Sequence, residues 1–93
     1  MTVRVFASRR AKAEIEEIAV YLEEHSPPAA ARFTEAIARA YQLLSEHPDL
    51  GSAGTRPGTR RLVVGNYIVS YRRRGGGVEI FAVRNARRRD ARL

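Results

Sequence analysis

Residues 60 to 89 read RRLVVGNYIVSYRRRGGGVEIFAVRNARRR, from Arg60 to Arg89. Leu62, Val63 and Val64, then Tyr67 to Tyr71, then Val78 to Val83 are short runs rich in β-branched and aromatic side chains, which suit a pleated, half-buried surface. Gly65-Asn66 and Gly75 to Gly77 separate them. Gly65 and Asn66 both tolerate positive φ, which a two-residue hairpin requires, and a triple glycine is no strand interior. The stretch is therefore expected to form a three-strand antiparallel meander, with Arg72 to Arg74 at its second turn. In the middle run Tyr67, Val69 and Tyr71 alternate with Ile68, Ser70 and Arg72. The bulkier set is expected to meet the core. Ile68 is then left with small and basic neighbours on a face that the chain does not fully cover, and such a face commonly marks a partner site.

The core must be completed from upstream. Val3 to Phe6 has a strand pattern. Ser8 is a candidate N-cap for a helix from Arg9 to about Glu24, with Ala11, Ile15, Ile18 and Leu22 on one stripe and glutamates on most other positions. Ser26-Pro27-Pro28 reads as a break and restart, since proline is tolerated in a first turn where its missing N–H has no partner to lose. The second helix is expected to run to about His47, with Phe33, Ile37, Ala40, Tyr41 and Leu44 inward and Pro48 as its stop. So short a break predicts an antiparallel helical hairpin. Pro48 to Thr59 reads as a loop whose glycines match no phosphate-cradling motif.

These 93 residues are expected to form one domain, 1–93, able to bury only about 60–65% of its surface. With no cysteine there are no disulfides, thiolate metal sites or cysteine nucleophile. No apolar run approaches the roughly 18 residues of a membrane span, and no leader pattern precedes the first strand, so a cytoplasmic protein is expected. The net charge of +7 is unevenly divided. Up to His47 six basic residues face seven acidic ones; from Pro48 onward eleven arginines face only Asp49, Glu79 and Asp90. A cationic half of this kind draws nucleic acid or an acidic protein segment. Arginine fills every basic position but Lys12, and its planar guanidinium suits paired recognition of carboxylate or phosphate. His25 and His47 lie near helix C-termini, where capping accounts for both. No carboxylate pair, metal cluster or cofactor motif recommends itself.

The order of elements, a strand, a helical hairpin with proline at the join and a meander ending in arginines, resembles the ParE/RelE superfamily of type II toxin–antitoxin toxins, which includes the plasmid stabilisation family. The residues carrying the resemblance are the Ala11 to Leu22 pattern, P-G-T-R-x-L at Pro57 to Leu62, Tyr67-Ile68-Val69-Ser70-Tyr71, and Val78-Glu79-Ile80 leading to Val83 and Arg87-Arg88. The resemblance implies an α+β fold with the helices packed on one face of the sheet. It also implies one of two activities. RelE-like members are ribosome-dependent mRNA endonucleases, whereas ParE-like members trap the cleaved-DNA complex of DNA gyrase and are not known as nucleases. RelE-like enzymes place an arginine where this chain has Ile68, a cation that would stabilise charge on a cleaved phosphate. They also carry a tyrosine or histidine beyond the last strand, where this chain has Asn85 and an arginine-rich end. Arg61 and Arg88 fall near the family's basic positions.

The resemblance thus favours the ParE side: a gyrase inhibitor neutralised by a ParD-like antitoxin, with no catalytic residue, no cofactor, no small-molecule substrate and no membrane partner. The antitoxin is expected to offer an acidic, partly apolar segment that is disordered alone. Arg56, Arg60, Arg61, Ile68, Arg84, Arg87, Arg88 and Arg89 are the residues expected to contact target or antitoxin. The nuclease remains the alternative, and a plain nucleic-acid-binding module is a third.

Overall fold

The computed structural model describes residues 2–87. Their elements in order are β1 (Val5–Ala7), α1 (Arg9–His25), α2 (Pro27–Glu46), β2 (Ser52–Ala53), β3 (Thr59–Val64), β4 (Tyr67–Arg74) and β5 (Gly77–Asn85). They form the expected α+β arrangement, a five-stranded sheet in the order β1-β5-β4-β3-β2 with the two helices against its core face. Three pairings are antiparallel, while β1 runs parallel to β5 from Val5↔Val78 to Ala7↔Ile80.

Serine starts both helices. Ser8 Oγ accepts the Ala11 N–H at 3.1 Å, and Ser26 ends α1 while accepting the Ala29 N–H at 3.4 Å to begin α2. Pro27 and Pro28 occupy the first turn of α2, so one residue both ends one helix and caps the next. His25 Nδ1 lies 2.7 Å from the Tyr21 carbonyl in the last turn of α1, and its ring stacks on Tyr21, consistent with a capping role. No helix among the described residues is long and apolar enough to cross a membrane.

The apolar stripes of both helices meet Tyr67, Val69 and Tyr71, as the alternation requires. Phe33, Leu44, Val69 and Tyr71 are at most 1% exposed, and Phe33 meets the Tyr67 ring edge-on with centroids 4.7 Å apart. Ala11 and Ala40 are fully buried in the core, where their small side chains let the helices pack closely.

Several boundaries differ from the sequence reading. The first strand is Val5–Ala7 rather than Val3 to Phe6. Arg72 to Arg74 lie within β4, not at a turn, because Gly75 and Gly76, with φ of 57° and 79°, suffice for a two-residue hairpin closing Arg74 on Gly77. At the other hairpin only Gly65 has positive φ, and Asn66 does not. The loop from Pro48 contributes a two-residue strand, β2, that pairs Ser52 and Ala53 with Arg61 and Arg60. The meander is therefore embedded in a wider sheet, with a strand added at each edge.

Candidate functional site

The helices cover one face of the sheet, and the expected binding residues divide between the two faces. Strand alternation turns Arg61, Val63, Ile68 and Arg72 away from the core, since their cross-strand partners are Ser70, Ile68, Val63 and Glu79. Val63 is 64% exposed and Ile68 half-buried, so this outer face is partly open, as expected. Its centre is not. Ser70 and its partner Ala82 are at most 1% exposed, which the simple alternation did not anticipate.

A β-bulge accounts for this. Tyr71 pairs with Ile80 and Ser70 with Ala82, so Phe81 is an extra residue in β5 without a partner across the ladder. The extra residue shifts the phase, and Val78, Ile80 and Val83 all reach the core although Val83 breaks the two-residue repeat. Phe81 is half-buried and lies over the outer side, with the Arg72 guanidinium 5.7 Å from its ring centre.

Two recesses flank Phe81. One, of about 170 Å³, is walled by Arg10, Arg56, Arg60, Arg61, Ser70 and Phe81. The other, of about 530 Å³, shares Arg10, Arg56, Thr59 and Phe81 and adds Ser8, Arg72 and Arg73. The fold thus brings Arg56 and Arg61, two of the three arginines the sequence reading grouped, to one recess that Arg60 also borders, and joins to them Arg10, Ser70 and Phe81, which that reading missed. The run Ile80-Phe81-Ala82-Val83 carried a signal, since four consecutive apolar residues violate strand alternation.

The cations are not equally available. Arg60 turns toward the core side, where its Nη1 donates to the Gly51 carbonyl at 2.8 Å and its Nε lies 3.8 Å from Asp49. Arg72 and Arg74 converge on Glu79 at 2.9 and 3.2 Å. Burial pushes the Glu79 carboxyl up, but hydrogen bonds from Arg72 and Arg74 and their charges outweigh it, so its pKa is lowered. Arg56 and Arg61 have no carboxylate partner among the described residues.

Arg84 belongs to a different cluster. Because β1 stops at Ala7↔Ile80, the edge of β5 beyond Ile80 has no neighbouring strand, and Glu14 of α1 caps it. Glu14 Oε1 accepts the Val83 N–H at 3.0 Å, while its Oε2 lies 3.7 Å from Arg84 Nη2 and 3.3 Å from Arg10 Nε. A groove of about 340 Å³ runs beside this edge, lined by Tyr21, Leu22, Tyr67, Arg84 and Asn85 among others. Asn85 Oδ1 accepts the Arg87 N–H at 2.9 Å, which gives this residue a local turn-forming role. Arg88 and Arg89 lie outside the described residues.

No group of three potential metal ligands occurs among the described residues. The tyrosines with displaced pKa values, Tyr41, Tyr67 and Tyr71, are all raised by burial, which makes them poorer proton donors and keeps them neutral.

A sequence model of the family described as "ParE toxin of type II toxin-antitoxin system, parDE" matches residues 5–90. The chain belongs to the ParE toxin family. Among its relatives, the Y4kP protein of Sinorhizobium fredii is 38% identical over 85 residues, covering 89% of this chain and 88% of that protein. Caulobacter vibrioides supplies two more. Its toxin ParE1 is 35% identical, covering 82% of this chain and 81% of that protein. Its toxin RelE1 is 33% identical, covering 86% and 89%. Of solved structures, a chain of the chromosomal ParDE system from P. aeruginosa superimposes with a TM-score of 0.72 at 19% identity, covering 90% of this chain and 96% of that one. A chain of the RelBE2 toxin–antitoxin complex from Mycobacterium tuberculosis gives 0.68 at 21% identity, covering 91% and 92%. At such identities the structures speak for the fold, and this ParE-family chain has relatives bearing both the ParE and RelE names.

Proposed function

We propose that this ParE-family toxin acts by binding DNA gyrase and stabilising its cleaved-DNA complex, with no bond broken by its own residues. The observation that carries the reading is Ile68. It stands on the outer face between Val63 and Arg84 in the strand ladder, where the RelE-like pattern has an arginine, and an uncharged sec-butyl group cannot stabilise charge on a cleaved phosphate. The other ionisable groups with displaced pKa values support the same reading. Glu79, tied to two arginines, is a weak base, and the buried tyrosines are weak acids.

A ParD-like antitoxin follows from this reading, and the ParDE and RelBE2 assemblies among the structural neighbours support a partner of that kind. Its acidic, partly apolar segment would find exposed Val20 and Tyr21 on α1, Val63 on the outer face and the guanidiniums of Arg56 and Arg61. The cell's cytoplasm is the compartment in which gyrase would be met. The RelE1 relative and the uncompensated Arg61 are the observations on the nuclease side. Expression of the chain without antitoxin separates the two. The gyrase reading predicts chromosome breaks and induction of the DNA-damage response with messages intact, whereas messages cut in ribosome-bound frames would overturn it.

A further inference from the structure

We infer that copies of this chain, when free of antitoxin, associate head to tail, the outward stripe of α1 in one copy seating on the outer sheet face of the next around Val63. Among the described residues four large apolar side chains stand exposed: Val20, Tyr21, Leu50 and Val63. Val20 and Tyr21 lie together on α1, 52% and 59% exposed, and Val63 lies across the domain from them on the outer face of the sheet.

The α1 pair belongs to a second stripe on that helix. Ala13, Glu16, Glu17, Val20, Tyr21 and Glu24 wall a shallow depression of about 490 Å³. At about 3.6 residues per turn they stand on the side of the helix opposite Ala11, Ile15, Ile18 and Leu22, which pack into the core. From Ala13 to Glu24 the helix carries five glutamates and no lysine or arginine. Glu16, Glu17 and Glu24 have no basic partner among the described residues. An apolar strip rimmed by uncompensated carboxylates fits a surface that is apolar and cationic.

The same molecule carries such a surface. On the outer face Val63 pairs across the ladder with half-buried Ile68, and Arg61 precedes Val63 by two residues on the same side of β3. Arg61 and its neighbour Arg56 have no carboxylate partner among the described residues. The helices lie against the other face of the sheet, so one copy cannot join its own two patches. A second copy can.

Charge fixes the orientation. Two outer faces in contact would set arginine against arginine, and two α1 stripes would set glutamate against glutamate. With +7 on the whole chain, the acidic stripe is where a second cationic copy is drawn in. Unlike patches on opposite sides make a heterologous contact, which repeats from copy to copy until it closes into a ring or extends as a filament. Each contact covers Val20, Tyr21 and Val63, the side chains proposed above for the antitoxin, so self-association and antitoxin binding exclude each other. The inference does not depend on gyrase being the target.

Sedimentation velocity on the antitoxin-free chain, before and after nuclease treatment, tests it. The parent's weight-average mass is expected to climb with concentration past that of a dimer. Added salt is expected to weaken association without abolishing it, since it screens the rim charges and spares the apolar contact. Val20→Arg and Val63→Glu each place a like charge in the contact, at positions exposed enough for the fold to be kept, and each alone is expected to be monomeric. Mixed one to one, the two variants retain one intact patch apiece, so association returns but stops at a dimer. Arg39→Gln, on the exposed side of α2, leaves the parent's behaviour unaltered. Melting curves for each variant establish that the fold is retained. A parent that stays monomeric up to about 1 mM would overturn the inference. So would association lost on nuclease treatment, which marks nucleic acid as the bridge, or association surviving in either single variant, which marks a symmetric contact. Failure of the mixture to pair would overturn it as well.

Discussion

Replacing Tyr71 by phenylalanine removes one oxygen atom from the centre of the protein and tests how the cationic loop is held. Tyr71 is fully buried, and its hydroxyl accepts the N–H of Gly51 at 2.8 Å. That bond ties the segment after α2 to the middle of β4, and the same segment leads through β2 to Arg56. Gly51 is packed tightly against this end of β3 and β4, since a Cβ there would lie 2.6 Å from the Arg61 carbonyl and 2.9 Å from the Tyr71 ring. The variant therefore keeps the ring's packing but leaves a buried N–H unsatisfied, at a cost of about 1–3 kcal/mol. For a domain of this size each kcal/mol moves the melting temperature by about 4–8 °C, so a fall of roughly 4–24 °C is expected. Differential scanning calorimetry measures it, and amide exchange at Gly51 should accelerate by more than exchange in α1. A melting temperature within about 1 °C of the parent, with Gly51 still protected, would refute the claim that this hydroxyl anchors the loop.

Other perturbations follow from the same packing and hydrogen bonding. Gly77→Ala would place a methyl group 2.6 Å from the Arg4 carbonyl, so the parallel β1–β5 contact must spread; a loss of about 1–3 kcal/mol in urea unfolding is expected. Glu79 has a lowered folded pKa, so its contribution is present above the ordinary carboxylate range and is lost as pH falls through the folded value. The parent's stability should accordingly decline in acid below about pH 4.5, and Glu79→Gln should remove part of that decline while lowering stability at neutral pH, as pH-dependent melting will show. Ser8→Ala deletes the acceptor for the Ala11 N–H and should cost about 1 kcal/mol, read from the chemical-denaturation midpoint.

Local periodicity made much of the fold legible. Tyr67, Val69 and Tyr71 declared the core face of β4 because a strand repeats every two residues, and the two serine-capped helices declared their stripes because a helix repeats every 3.6. What escaped was set by distant contacts. The parallel pairing of β1 with β5 joins residues at opposite ends of the chain, and β2 is held by backbone pairing to β3, with both its residues exposed. Glu14 looked like one of several glutamates on the wet side of α1, yet the short length of β1 makes it the cap of a sheet edge. At the candidate site the arginines of β3 were visible by density, but one residue of alternation separates Arg61 on the outer face from Arg60, which is tied to Gly51 and Asp49. Phe81 and Ser70 remained hidden because the bulge changes which side of β5 each residue serves.

On the proposed function, this ParE-family chain acts by holding another macromolecule and leaves the bond-breaking to its target. Purified gyrase incubated with supercoiled DNA and the antitoxin-free chain, then quenched with detergent and digested with protease, tests it directly. Linear DNA that accumulates in proportion to the chain, and only when gyrase is present, is the predicted result. Gyrase unaffected at saturating chain, while translating ribosomes given the same preparation cut their message in a manner abolished by Arg61→Gln, would contradict it.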